Sequence, residues 1–331
     1  MAKRQKLSLQ QKRRVASSKQ KKLKQRTTAP SFDDDHLGPL QKGIVISRFG
    51  EQADVADHNK TVYRIYLRQN LGSCVSGDKV LFRLNDDQSQ GVIEAIEPRT
   101  SELTRPTPYA GVKTIVANVD QIFVMIAPFP DYSSLILDRY LVACELAGIS
   151  THIMLNKTDL LDPEKQAYFD EQINLYQQLG YQVFSSSCKT GQGLEELKQQ
   201  MSGKENIFVG QSGVGKSSLI NQLLPDATAL TGQVSENSRL GTHTTTASRL
   251  YFLPKSGFII DSPGVREFGL SHIDPELIIQ GFIELQPLQG DCKFRNCQHQ
   301  NEKGCALTRA AERGSISKQR LSNYQKITLS A

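Results

Sequence analysis

The chain has 331 residues, 38% of them hydrophobic and 22% charged, which is room for about two domains and at least one sizeable core. Its longest apolar run, residues 122–129, is far short of the ~20 needed to cross a bilayer, and no apolar stretch follows the basic N-terminus, so neither a span nor a secretory signal is expected. The net charge of +6 is unevenly placed: residues 1–32 hold 11 of the 40 Lys and Arg and no acid, while the remainder is net −5, a pattern that points to a polyanion partner.

In chain order, residues 1–36 read as a disordered basic arm, too polar to bury enough surface to offset ordering entropy. A solubilising tail is the alternative to a nucleic-acid contact. Residues 37–104 read as a small barrel of the OB type, with strands at 43–49, 61–67, 79–84 and 91–96 separated by turn signals at 57–59 and 86–87. Phe49, Tyr63, Tyr66 and Phe82 are candidates for stacking on bases, or for barrel core. Residues 105–272 read as a doubly wound α/β domain. Its strands are expected at 115–119, 122–126, 152–155, 181–184, 207–209, 251–253 and 258–260, and its helices at 135–146, 163–179 and from near Lys216. Residues 273–331 carry a cysteine cluster and then a basic helical stretch from 306 to about 326. Six scattered cysteines make no disulfide scaffold and suit a reducing cytoplasm.

Gly210-Gln211-Ser212-Gly213-Val214-Gly215-Lys216-Ser217 fits G-x-x-x-x-G-K-[ST] between an expected strand and an expected helix that runs on through Ser218. Its amides would close around phosphates, Lys216 would reach the β and γ groups, and Ser217 would bind Mg²⁺. Asn156-Lys157-Thr158-Asp159 follows another strand. Guanine presents two donors on one edge, and the Asp159 carboxylate accepts both; adenine offers the reverse pattern there. Lys157 can lay its stem along the base and Asn156 can brace the loop. Ser187-Cys188-Lys189 is similar to the S-A-K loop that contacts the guanine carbonyl through backbone, with Cys188 as a packed residue rather than a reactive thiol.

Asp261-Ser262-Pro263-Gly264 matches D-x-x-G, whose Asp holds Mg²⁺ through water and whose Gly meets the γ-phosphate. Gly241-Thr242-His243-Thr244-Thr245-Thr246 is placed like a first switch, with Thr245 and Thr244 as candidate Mg²⁺ ligands. The guanine-reading loops precede the P-loop and the switches follow it, so the domain reads as circularly permuted. Val265 stands where many GTPases carry a water-orienting Gln, which makes His243 the substitute by position, a satisfied loop histidine being the other reading. Cys292, Cys297, His299 and Cys305 give C-x₄-C-x-H-x₅-C, a closed Cys₃His set suited to one structural Zn²⁺.

A barrel, a permuted GTPase and this cysteine cluster, in that order, resemble the bacterial ribosome small subunit-dependent GTPase A family (RsgA) over residues 37–331. The resemblance implies GTP binding and hydrolysis to GDP, stimulated by the small ribosomal subunit and tied to that subunit's late maturation. It also implies rRNA contact by the barrel and the zinc module, and a catalytic role for His243 in the G-x-H-T-T-T stretch. Thr242 fills a position often basic in the family, and Gly213 stands where potassium-dependent GTPases carry Asn, so no potassium site is expected. A monomer without a membrane partner is expected. Two other readings stand beside this one: an rRNA-binding scaffold with GTP as a structural ligand, and a GTPase of large-subunit assembly.

Overall fold

The computed structural model describes residues 37–69, 71–88, 90–107, 111–224, 248–262 and 273–330. The basic arm, the stretch Gly241–Thr246 with His243, Thr244 and Thr245, and Pro263, Gly264 and Val265 lie outside the described residues.

Five short strands close a barrel: β1 (Gln41–Phe49), β2 (Gln52–Ala56), β3 (Val62–Leu67), β4 (Lys79–Leu84) and β5 (Gly91–Ile96). Their order is β1-β2-β3-β5-β4, with β1 also pairing β4 and β3 running parallel to β5. Inward positions alternate with outward ones, so Val45, Val55, Ile65, Phe82 and Ile93 form a dry interior. Phe82 is therefore core, whereas Phe49 is 46% exposed. Strand β2 was not expected. Its sequence, Gln-Ala-Asp-Val-Ala, has weak strand propensity, and pairing with β1 and β3 decides its conformation.

The chain then forms a hairpin of β6 (Glu102–Thr107) and β7 (Gly111–Ala117), a two-stranded sheet of its own. This corrects two expectations. Residues 115–117 do not join the large sheet, and a division between residues 104 and 105 would cut through β6. The cause is packing: Leu103 and Val116 are fully buried in the same core as Ile46 and Ala56 of the barrel.

Among the described residues the large sheet has six strands: β8 (Gln121–Ile126), β9 (Ser150–Leu155), β10 (Gln182–Ser185), β11 (Glu205–Gly210), β12 (Arg249–Phe252) and β13 (Phe258–Asp261). The order is β10-β9-β8-β11-β13-β12, all parallel except the edge strand β12. Period-two alternation covers both faces. Ile122, Val124 and Ile126 pack beneath α1 (Ser134–Leu146) and α2 (Pro163–Gln178), while Phe123 and Met125 face α3 (Leu194–Met201) and α4 (Lys216–Leu223). Ser133 caps α1, accepting from the Ile136 amide, and Asp162 caps α2 ahead of Pro163. Helix α3 was missed, although Leu194, Leu197 and Met201 recur at helical spacing behind two first-turn glutamates.

The C-terminal module contains α5 (Pro275–Ile278), α6 (Ala306–Glu312) and α7 (Lys318–Ser330). The expected continuous helix from 306 to 326 is two helices, parted at Gly314, whose φ of +75° no helix continues through. The module shares its core with Val142 and Ala143 of α1. Beside that core the fully buried Arg320 of α7 bonds Asp138 of α1 at 2.5 Å and Glu284 at 2.7 and 2.9 Å, and lies over the Phe282 ring. Among the described residues no helix is long and apolar enough to cross a membrane.

Candidate functional site

In a parallel sheet, loops at the carboxyl ends of neighbouring strands share one rim. Here Asn156–Asp159 leave β9, Ser187 and Cys188 follow β10, Gly210–Ser218 follow β11, and Asp261 ends β13. The loops expected to read guanine thus sit on one side of β8 and the residues expected at the phosphates on the other. From β9 to β11 is two strand spacings, about 10 Å.

Asn156 joins the halves. It is 1% exposed; its Nδ2 donates to the Val214 carbonyl at 2.9 Å, and its Oδ1 accepts from Ser186 Oγ at 3.0 Å. Gly215 has φ +101°, and a Cβ there would collide with Asn156 Nδ2, so the last glycine of the P-loop serves contact with the base loop as well as the turn. Lys157, itself at φ +61°, donates through Nζ to Gly213 O at 2.6 Å and Phe129 O at 3.0 Å. Its stem is thereby stretched between the two loops.

Asp159 is exposed at the rim, and its Oδ1 accepts from Ser187 Oγ at 2.5 Å. Thr158 binds the Ser186 carbonyl through both its amide and its hydroxyl, at 3.1 and 3.2 Å. Cys188 is half-buried against the second core, and burial first, then the Asp159 charge, pushes its thiol above the usual range. That environment suits a packed residue, since it disfavours the thiolate.

On the phosphate side, Lys216 Nζ donates to the carbonyls of Gly210 and Gln211, both at 2.6 Å. Ser217 and Ser218 are exposed in the first turn of α4, and Gln211, Ser212 and Gly213 form the loop before it. Asp261 lies opposite Arg249 in the β12–β13 ladder. The described residues expected at the nucleotide lie at the carboxyl ends of β9, β10, β11 and β13. Sequence reading missed Ser186, which positions Asn156 and is fully buried, and Phe129, whose carbonyl holds Lys157. A serine-rich stretch at 185–187 was the only signal for the first, and nothing local marked the second.

Cys292, Cys297, His299 and Cys305 place one ligand atom each within 4.8 Å of one another. His299 Nδ1 stands 3.5, 3.8 and 3.5 Å from the three sulfurs in chain order. Metal–ligand bonds of 2.0–2.3 Å in a tetrahedron separate the ligands by about 3.5–3.8 Å, so the set is compatible with zinc. The Ala306 amide donates to Cys292 Sγ at 3.2 Å, and Gln325 of α7 donates to the His299 carbonyl at 2.7 Å. These two bonds hold Cys292 and the His299 backbone from outside the cluster, the kind of support a metal site uses.

Residues 96–271 match the family described as RsgA GTPase. The chain is 48% identical to the small ribosomal subunit biogenesis GTPase RsgA of Photorhabdus laumondii over 329 residues, covering 97% of this chain and 94% of that one. It is equally similar to the protein of that name in Haemophilus influenzae, over 99% and 95% of the two chains. Among solved structures, YjeQ from Thermotoga maritima aligns with a TM-score of 0.71 and 32% identity over 88% of this chain and 98% of that chain. YloQ, described as a circularly permuted GTPase, aligns at 0.68 and 26% identity over 91% and 97%.

Proposed function

The chain belongs to the RsgA GTPase family, and from that premise we propose that this circularly permuted GTPase works on the small ribosomal subunit, which stimulates its hydrolysis of GTP during late maturation. The observation that best supports the nucleotide part is the buried Asn156–Val214 bond, which makes the guanine-reading loop and the P-loop one rigid cradle.

Within that cradle Asp159 accepts the two guanine donors, and Lys157 lies along the base. The backbone at Ser187 and Cys188 faces the guanine carbonyl. The amides of Gly210–Gly215 and the first turn of α4, with Ser217 and Ser218, surround the phosphates, and Lys216 turns its ammonium to their charge. Ser217, Thr245 and Asp261 would hold the Mg²⁺. A bound Mg²⁺ would supply positive charge that offsets the charge developing on the phosphates. Gly264 meets the γ-phosphate, and His243 orients the attacking water in place of the Gln that Val265 displaces. Cys292, Cys297, His299 and Cys305 hold one structural Zn²⁺, which would supply folding energy to a polar loop.

The barrel and the zinc module contact rRNA, and the basic residues 1–36 add sequence-independent attraction to it. The protein acts as a cytoplasmic monomer. Turnover of GTP by the purified full chain, measured alone and with isolated small subunits, tests the proposal. A rise within the ~10³–10⁵ range that completing such a site provides is expected. Equal turnover in both conditions, or equal stimulation by large subunits, overturns it.

A further inference from the structure

We infer that Ser47, Ser76 and Ser262 are positioning residues for hydrolysis, pinning the barrel to the strand ends that carry the phosphate-side residues. Ser248, two residues after Thr246, begins the approach to β12, and Ser262 directly follows Asp261. The Ser248 carbonyl accepts from Ser47 Oγ at 2.9 Å and from Ser76 Oγ at 3.0 Å, both from the barrel side. The Ser248 hydroxyl pairs with Ser262 Oγ at 2.6 Å. Four hydroxyls from three distant parts of the chain therefore meet in one cluster.

Ser47, Ser76 and Ser262 are only 3, 2 and 5% exposed. Hydroxyls this deep need partners, and Ser47 and Ser76 find theirs only when the barrel side and the β12–β13 hairpin keep one register, while Ser262 is reached through Ser248. Apolar residues would fill the same space but would tolerate sliding. The barrel side of the cluster is braced. Asp78, fully buried, accepts from the Val75 amide at 2.8 Å and is clamped by Arg99 at 2.8 and 3.0 Å. Asn118 Nδ2 holds the Gly77 carbonyl at 2.8 Å. Gly77, at φ +90°, lies so close that a Cβ would collide with Ala117 O and stand 3.1 Å from Ile260, the residue before Asp261. A displacement of the barrel thus reaches Asp261 through a short, stiff path, while Asp159 and the P-loop lie on other strands. The inference deepens the proposed function, because it rests on Asp261 acting at the phosphate end.

The test compares full-length Ser47→Ala/Ser76→Ala with the parent in GTP turnover without subunits, GDP affinity and thermal unfolding. Loss of the two anchors should lower kcat about tenfold. GDP affinity should be unchanged, because the base loop and the P-loop keep their contacts. Ser248→Ala retains the carbonyl and removes only the link to Ser262; it should lower kcat in the same sense and decides the matter if the double variant does not fold. Unchanged kcat in the folded variants, or an equal loss of GDP affinity, overturns the inference. Asp261→Asn, measured alongside, separates the two levels. If it turns over normally, the phosphate-side reading itself fails. If it is inactive while the serine variants match the parent, only the positioning role fails.

Discussion

At the scale of single residues, the proposed guanine specificity rests on one exposed carboxylate, Asp159, whose place is set by a hydroxyl. Asp159 accepts from Ser187 Oγ through Oδ1, and a carboxylate has acceptor capacity beyond that one bond. Asp159→Asn replaces an acceptor by a donor and should weaken GTP binding by roughly 10²–10³-fold. The same change should improve relative binding of xanthosine triphosphate, which offers a carbonyl where guanine offers an amine; nucleotide competition measures both. The type and spacing of Asp159, Lys157 and Lys216 were legible because each sits in a contiguous motif. Ser186 and Phe129 were not, because each acts only through a partner 28–30 positions away.

At the scale of elements, α7 ties the module with the Cys₃His cluster to the GTPase domain. Arg320 bonds Asp138 and Glu284, Asn323 Nδ2 donates to Asp138 at 2.6 Å, and the Tyr176 hydroxyl of α2 donates to the same carboxylate at 2.8 Å. Burial pushes the Asp138 carboxyl up, and Arg320 and these donors counter it. The network closes without an orphaned charge, which is the condition for a buried ion pair to persist. Arg320→Ala leaves two carboxylates unpaired and should cost about 3–5 kcal/mol in denaturant unfolding. Arg320→Met combined with Asp138→Leu and Glu284→Gln should cost less, because no charge is stranded. A helix near residues 306–326 was expected from composition, but its break at Gly314 and its buried arginine were not. A basic residue in an otherwise polar helix reads as a solvated face until its partners are known.

At the scale of the whole molecule, the barrel, the hairpin and the large sheet share one core, and a titratable contact lies on their seam. Glu205 at the start of β11 is 3.5 Å from Lys79 of the barrel. Burial pushes its carboxyl from 4.5 to about 7, opposed by Lys79 and reinforced by Asp120. The folded chain therefore holds this proton more tightly than the unfolded one. Its contribution is full below about 4.5 and is lost as pH rises through about 7. Glu205→Gln should flatten the decline of stability across that window by at most about 3 kcal/mol. The difference in thermal midpoint between the two proteins, followed from pH 4.5 to 7.5 in small steps, is the measurement; a constant difference would exclude Glu205 as the titrating group.

The sequence by itself determined the parts that are local: a strand, a glycine-rich loop and a helix in succession, a tetrapeptide of the kind proposed to read guanine, a Cys₃His cluster within fourteen residues, and the permuted order in which they come. Each is written in consecutive residues whose backbone and side chains act together. Only the tertiary structure decided that β6 and β7 leave the main sheet, that Asn156 reaches Val214, that Arg320 meets Asp138 across 182 positions and that Ser47 meets Ser248 across 201. Those pairings have no local propensity to announce them, because their free energy comes from burial and register that exist only once distant segments are packed.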